Sequence, residues 1–345
     1  MPSTAKNFRN IAAVLEEDGT LGEQTRREVT TEPIEGVTAY QQALVTMRRC
    51  ISAGHRSHTT LTFDIPAGDP RSPSPVRINR SYIGFEATAM GRPTGVTIRV
   101  VLPAEFGFDH LDDHWTAQTN NGLTTYSLSP ADQAEYPDPF IGARDDRELV
   151  GVPVDADNGQ LFNVMHWPND AKWGKFVAAQ VERGVPALSK AVGVDWPIVG
   201  ETQIREAYSN YFDGYAGWFD PENNYMEIGD SLDQVVIFHE LSHAWFNDGW
   251  FRERWLREGF AETYASTVLR QLGVESAAPE HVSPQDDGAI ALESWEEPHG
   301  NTDGTDDLEQ YGYNASYYVV SQLVDEIGVA KMRDVLRMVD SGETI

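Results

Sequence analysis

Residues 231–245 read SLDQVVIFHELSHAW, and within them His239-Glu240-Leu241-Ser242-His243 is an H-E-x-x-H. An apolar run from Val235 to Phe238 leads into the motif, and neither Pro nor Gly interrupts it. That pattern predicts a helix over residues 232–246. Ser231 and Gln234 have the form of a capping box that would start it. On a helix, residues four apart share a face, so the two imidazoles can grip one cation, and Zn is the expected ion. The glutamate between them, Glu240, has the placement of a general base acting on water at that ion. The stretch therefore predicts one Zn ion and hydrolytic chemistry.

A catalytic zinc needs a third protein ligand. The next predicted helix, residues 253–271, offers two glutamates in Trp255-Leu256-Arg257-Glu258-Gly259-Phe260-Ala261-Glu262. Glu258 and Glu262 stand one turn apart on the same face, so helical spacing leaves both open. Arg252, Arg254 and Arg257 are expected to pair with surface carboxylates.

The H-E-x-x-H followed by WLREGFAE resembles the aminopeptidase N and leukotriene-hydrolase type of gluzincin, whose W-L-x-E-G-F-A segment carries a zinc-binding glutamate. The resemblance implies a thermolysin-like catalytic domain, peptide hydrolysis, Glu258 as the third ligand, and Glu262 as the group that orients a ligand histidine. It also implies a tyrosine that donates to the oxyanion, and Tyr313, in Tyr313-Asn314-Ala315-Ser316, matches it at the start of a predicted helix over residues 313–327. Tyr313, Tyr317, Val320, Val324 and Ile327 equally form one helical stripe, so a core role is the competing expectation. Tyr311 is the reserve candidate.

Two departures stand out. The loop between His243 and Glu258 has fourteen residues, 244–257, against about eighteen in the resembled family. The family's G-x-M-E-N segment, whose glutamate holds the substrate's free amine, is replaced by Gly214-Tyr215-Ala216-Gly217-Trp218-Phe219-Asp220. Glu222 falls in a predicted turn and Glu227 on the following strand. The backbone edge at Tyr215, Ala216, Gly217 and Trp218 is the expected substrate-binding element, through β-addition of an extended peptide.

The rest of the chain supplies the frame. The reading is α+β: a β-rich N-terminal domain, then a mixed sheet followed by helices. The expected division is residues 1–75, a helical segment and linker; 76–158, a β-sandwich or saddle; and 159–345, the zinc peptidase domain. Apolar spacing at Tyr40, Leu44, Met47 and Ile51 predicts a helix over residues 37–52, and a shorter one is expected around residues 8–17. Residues 66–75, PAGDPRSPSP, read as a linker. Strands are expected at 81–88, 95–102, 123–128, 149–154, 160–166, 198–206, 215–219 and 225–228, and helices at 172–192 and 329–339. Residues 275–310 read as an acidic loop.

A formal charge of −28 opposes nucleic acid and anionic membrane surfaces and favours basic peptides. The single cysteine, Cys50, excludes an internal disulfide framework. No apolar stretch is long enough to span a membrane, and no signal peptide is visible, which fits a cytoplasmic chain or an exported one already trimmed. His110 and His114 are also four apart but lie between predicted strands; His55, His58 and the acidic run Asp303 to Asp307 are weaker metal candidates. Asn314-Ala315-Ser316 has the form of a glycosylation sequon. The leading expectation is an aminopeptidase-like zinc peptidase acting on a peptide or protein. An endopeptidase and a non-catalytic peptide-binding scaffold are the alternatives. The sequence is silent on oligomeric state.

Overall fold

The computed structural model describes residues 4–15, 25–46, 56–87, 96–108, 114–128, 139–156, 159–209, 215–274, 279, 281–286, 288–296 and 306–342. Contacts divide the chain into two units, Met1–Asp145 and Asp146–Ile345.

The first unit is built of strands. β1 (Lys6–Leu15), β2 (Thr25–Arg27), β3 (Val29–Ile34), β4 (Val37–Val45) and β5 (Arg56–Asp64) form a three-stranded sheet ordered β2-β1-β5 and a β3-β4 hairpin. Where helices are expected, around residues 8–17 and 37–52, the described residues form strands over 8–15 and 37–45. Residues four apart lie on one face of a strand as well as of a helix, so Tyr40 and Leu44 could not decide between periods. Pairing decided: β4 lies antiparallel to β3 with Leu44 opposite Thr30. Then follow β6 (Arg77–Ile78), β7 (Tyr82–Glu86), β8 (Ile98–Pro103), β9 (Gly107–Phe108), β10 (Trp115–Asn120), β11 (Leu123–Leu128) and β12 (Phe140–Arg144), in sheets β10-β11-β8 and β6-β7-β12-β9. Alternation places Ile98, Val100 and Leu102 of β8 and Tyr126 and Leu128 of β11 in one core with Ile141 and Ala143.

The second unit mixes a five-stranded sheet with helices. β13 (Val150–Ala156), β14 (Gln160–His166), β15 (Thr202–Ala207), β16 (Gly217–Asp220) and β17 (Tyr225–Gly229) are ordered β13-β14-β15-β17-β16. β13, grouped with the preceding strands in the sequence reading, pairs antiparallel with β14 in this sheet. β14, β15 and β17 run parallel, and β16 returns antiparallel along β17 as an edge strand. α1 (Ala171–Val192) crosses between β14 and β15. Its buried Trp173, Val177, Val181, Val185, Leu188 and Val192 recur at helical spacing. α2 (Gln234–Ser242), α3 (Arg254–Gln271), α4 (Asp306–Ile327) and α5 (Val329–Asp340) complete the unit. One core joins the sheet's Phe162, Val164, Ile204, Met226 and Ile228 to Phe238, Trp245, Phe260 and Val320 of the helical part. Among the described residues, no helix is long and apolar enough to cross a membrane.

Three helix boundaries differ from expectation. Asp233, not Ser231, caps α2: its side chain accepts from the Val235 amide at 2.8 Å. Aspartate caps as well as serine does, and it stands directly before the first turn. α2 stops at Ser242, so His243 is its C-cap, and the chain continues in tight turns closed by His243 N–H to Glu240 O and Ala244 N–H to Leu241 O, both 3.2 Å. The Asn247 amide donates to the His243 and Ala244 carbonyls at 3.1 and 3.0 Å, which fixes that end. α4 begins at Asp306, so Tyr313 lies inside the helix rather than opening it. Asp307 and Glu309 lie in the first of the two added turns, where the helix dipole favours negative charge.

Candidate active site

α2 and α3 bring His239, His243 and Glu258 together, with one donor atom from each within 4.8 Å of the others. His239 Nε2 and His243 Nε2 are 3.1 Å apart. Glu258 Oε2 lies 3.2 Å from the first and 3.4 Å from the second. Packing of the two helices sets this convergence: Phe246, just past α2, stacks on Phe260 at 5.4 Å between centroids, and Phe260 stacks on Phe251 at 4.9 Å.

The other ring nitrogens are occupied. His243 Nδ1 faces the Phe246 carbonyl at 3.0 Å, an acceptor only, so Nδ1 carries the hydrogen. His239 Nδ1 donates to Glu262 Oε2 at 3.0 Å, and Ser266 holds the other oxygen of Glu262 at 3.0 Å. Both rings therefore turn Nε2 toward each other and toward Glu258. Two such lone pairs at this separation repel unless a cation or a shared proton lies between them. Two imidazoles and one carboxylate are also the donor chemistry zinc takes. The residues present fit a zinc ion. The geometry separates the two glutamates as well: Glu258 is beside both Nε2 atoms, while Glu262 is on the far side of the His239 ring.

Protonation follows from the same contacts. Burial alone would push the His239 imidazole down, but Glu258 and Glu262 hold it well above its usual range. His243 is also raised, against the burial effect, by Glu258. Burial would raise Glu258, yet His243 and His239 hold it well below the ordinary carboxylate value. Without a metal, the trio thus stores a proton between imidazole and carboxylate. Glu240 is 6% exposed. Burial raises its carboxyl, with the two histidines acting in the opposite direction.

The trio floors a cleft of about 640 Å³, whose walls include Tyr215 and Ala216 just before β16, Gly217 and Trp218 on it, and Glu240 and Tyr313. Gly217 packs closely: a Cβ there would meet the Glu227 carbonyl at 2.8 Å and the Glu240 side chain at 3.1 Å. Trp218 Nε1 donates to Glu227 Oε2 at 3.1 Å, so Glu227 is engaged within the hairpin. Tyr313 faces His239 with ring centroids 6.4 Å apart. Burial, then the Glu258 charge, raise its phenol well above the usual value, so it remains a hydrogen-bond donor. Val320 and Val324 of the same stripe are core residues.

Some residues lie elsewhere. Tyr311 is buried, and the cleft wall includes Tyr313 rather than Tyr311. Asn314 is buried in α4, which leaves no room for a glycan. His58 is on β5. His55, Cys50, His110 and residues 303–305 lie outside the described residues.

Sequence reasoning missed a cluster beside the cleft. Arg254, expected at the surface, is 4% exposed. It pairs with Glu309 through Nη1–Oε1 at 3.0 Å and Nη2–Oε2 at 2.8 Å. Arg257, as expected, pairs with an exposed carboxylate, that of Asp248. The one available signal for the cluster was that Glu309 and Tyr313 are four apart on α4 and so share a face.

No protein-family model and no curated protein matches the chain. Among solved structures, an M1 zinc metallopeptidase from Deinococcus radiodurans is similar at 15% identity, with a TM-score of 0.39, over 100% of this chain and 80% of that one. A mutant M1 zinc metallopeptidase from the same organism, bound to a Tyr-Ser-Ala substrate, gives 16% identity and 0.37 over 100% and 81%. Yeast LTA4 hydrolase in complex with bestatin gives 14% and 0.40 over 96% of this chain and 56% of that one. At these values the likeness is a general one and carries no weight for the chemistry.

Proposed function

We propose that residues 146–345 form a zinc-dependent peptidase, organised as a thermolysin-like catalytic domain. The observation that supports it above all is the convergence of His239 Nε2, His243 Nε2 and Glu258 Oε2 while both Nδ1 atoms are committed elsewhere. His239, His243 and Glu258 hold the ion, and Glu262 keeps the His239 ring in its ligating orientation. A zinc ion held there supplies a Lewis acid for a scissile carbonyl and makes water more acidic.

The chain's own groups do the rest. Glu240 takes a proton from the attacking water on its carboxylate, then returns it to the leaving amine. Tyr313 donates its phenolic hydrogen to the oxygen that gains charge as the carbonyl becomes tetrahedral. The β16 edge aligns an extended peptide beside Glu240, because β16 is the outer strand of its sheet and Gly217 packs directly against Glu240.

The same glycine favours a second reading. Among the described residues, the lining from Tyr215 to Phe219 contains no carboxylate to hold a free α-amine, and a side chain at Gly217 would collide with Glu227 O and Glu240. That supports cleavage of internal bonds over release of N-terminal residues.

Zinc-supplied protein incubated with a mixed peptide library tests both readings. Cleavage is expected, and Glu240→Gln should abolish it with zinc retained. Substantial turnover by Glu240→Gln would remove that residue from its role. Hydrolysis of no peptide, with zinc and peptide both bound, would leave a binding scaffold. Equal cleavage of free and N-acetylated peptides is the internal-bond outcome; loss on acetylation is the aminopeptidase outcome.

A further inference from the structure

Arg254 opens α3, four residues before Glu258, and its guanidinium is almost wholly buried. Nη1 donates to Glu309 Oε1 and to the Glu296 carbonyl, both at 3.0 Å. Nη2 donates to Glu309 Oε2 at 2.8 Å and to Tyr313 Oη at 3.2 Å. The guanidinium carbon Cζ lies over the Trp295 ring, 4.0 Å from its centroid. Glu309 also accepts from Trp295 Nε1 and from Tyr215 Oη, both at 3.0 Å. Tyr215 and Tyr313 both line the cleft, so the ion pair ties two of its walls to α3.

Arginine carries only donors, while a phenol has one hydrogen and two lone pairs. Tyr313 Oη can therefore meet Nη2 only as acceptor, and its single hydrogen must point elsewhere. His239, its ring centroid 6.4 Å from that of Tyr313, and Glu258 line the same cleft as Tyr313, so the cleft is open to that hydrogen. The two-pronged ion pair with Glu309 and the contact of Cζ with the Trp295 ring leave little freedom to the donor that holds Tyr313.

We propose that Arg254 is a positioning residue: it holds Tyr313 Oη as an acceptor and so turns the phenolic hydrogen into the cleft toward the developing oxyanion. This rests on the peptidase reading above. A purely structural pin would need neither the Nη2–Oη contact nor a phenol, and that difference is testable. Lysine at 254 keeps a charge for Glu309 but loses the planar fork that reaches both partners at once.

The test is a double-mutant cycle on the full zinc-loaded chain, with a spectroscopic arm. Arg254→Lys should lower kcat about 10- to 100-fold, with KM and zinc content little changed. In a Tyr313→Phe background the same substitution should lower kcat no further. Equal fold-losses in both backgrounds would overturn the proposal. Should Arg254→Lys fold poorly, the pair Arg254→Gln with Glu309→Gln, which strands no buried charge, takes its place in the cycle. Independently, zinc-free protein labelled with 13Cζ-tyrosine should show the Tyr313 resonance, identified by its absence in Tyr313→Phe, shifting in Arg254→Lys. An unmoved resonance would show that Arg254 does not hold the phenol. If wild type hydrolyses nothing, the peptidase reading fails by itself, and the resonance alone decides the Arg254–Tyr313 contact.

Discussion

Gly259→Ala should both loosen the fold and slow turnover, because α4 rests directly on Gly259. A Cβ at this position would lie 2.6 Å from Val320 Cγ2, 2.7 Å from the Ser316 carbonyl oxygen and 3.0 Å from its carbon. Val320 is fully buried, and a β-branched residue in a helix has one strongly preferred rotamer, so it cannot step aside. The Ser316 oxygen is backbone. Restoring ordinary contact at 3.4 Å requires α4 to retreat by 3.4 − 2.6, about 0.8 Å. Overpacking of this kind costs about 1–3 kcal/mol, and alanine regains about 0.5–1 kcal/mol in a helix interior. The net loss is then roughly 0–2.5 kcal/mol, at about 2–4 °C of Tm per kcal/mol for a unit of this size. Ser316 is one turn beyond Tyr313, so the retreat carries Tyr313 away from Glu258, which stays on α3. A misplacement of about 1 Å can cost about 10²-fold in rate, so kcat should fall about 10- to 100-fold with zinc content unchanged. Thermal unfolding by circular dichroism and steady-state cleavage of a peptide taken from the library would measure both. A higher Tm together with an unchanged kcat would refute the claim that this contact sets the position of Tyr313.

Three further outcomes are expected. Tyr313→Phe should lower kcat about 10²- to 10³-fold with little change in KM, and an unchanged kcat would return Tyr313 to a packing role. Glu206, buried with Asp170 and Asp230 close by, has its carboxyl raised well above 4.5, chiefly by burial and then by Asp170. Its stabilising contribution is therefore full below about pH 4.5 and lost as pH rises through the folded value. Glu206→Gln, which can still accept from the Trp167 amide, should raise Tm at pH 8 with the gain fading toward pH 4; a parallel pH dependence in both proteins would contradict this. Finally, His239 and His243 are raised above 6.5 in the metal-free chain, so their paired, protonated state stabilises it fully below that pH and is lost as pH rises through the folded values. Protons then compete with zinc, and calorimetric titration near neutral pH should show proton release on zinc binding and weaker affinity as pH falls. Binding without proton release would contradict the pairing.

What could be read in the sequence depended on how local the deciding contacts are. Leu123–Leu128 and Gln160–His166 were legible to the residue, since alternating apolar positions and flanking turns set both strands within one short window. α1 was legible because its buried positions keep one period over six turns. The N-terminal strands were not: Tyr40 and Leu44 satisfy both periods, and only the partner β3 breaks the tie. In the site, the four-residue spacing of His239 and His243 predicted a shared face, and the structure places Glu258 beside both. Arg254 was illegible. In RERWLRE it reads as one of several surface cations, and its burial depends on Glu309, fifty-five positions away. The capping residue of α2 was missed for a smaller reason, since Ser231 and Asp233 are both good caps and only the backbone path chooses between them.

The proposed centre is zinc held by two imidazoles and one carboxylate at the junction of α2 and α3. X-ray absorption of purified, zinc-supplied protein, read alongside zinc-to-protein stoichiometry, addresses that directly. One equivalent should bind, with two imidazole ligands in wild type, one imidazole ligand or no metal in His243→Ala, and weakened binding in Glu258→Ala. Protein that takes up no stoichiometric zinc, or whose zinc keeps two imidazoles after His243→Ala, would contradict it.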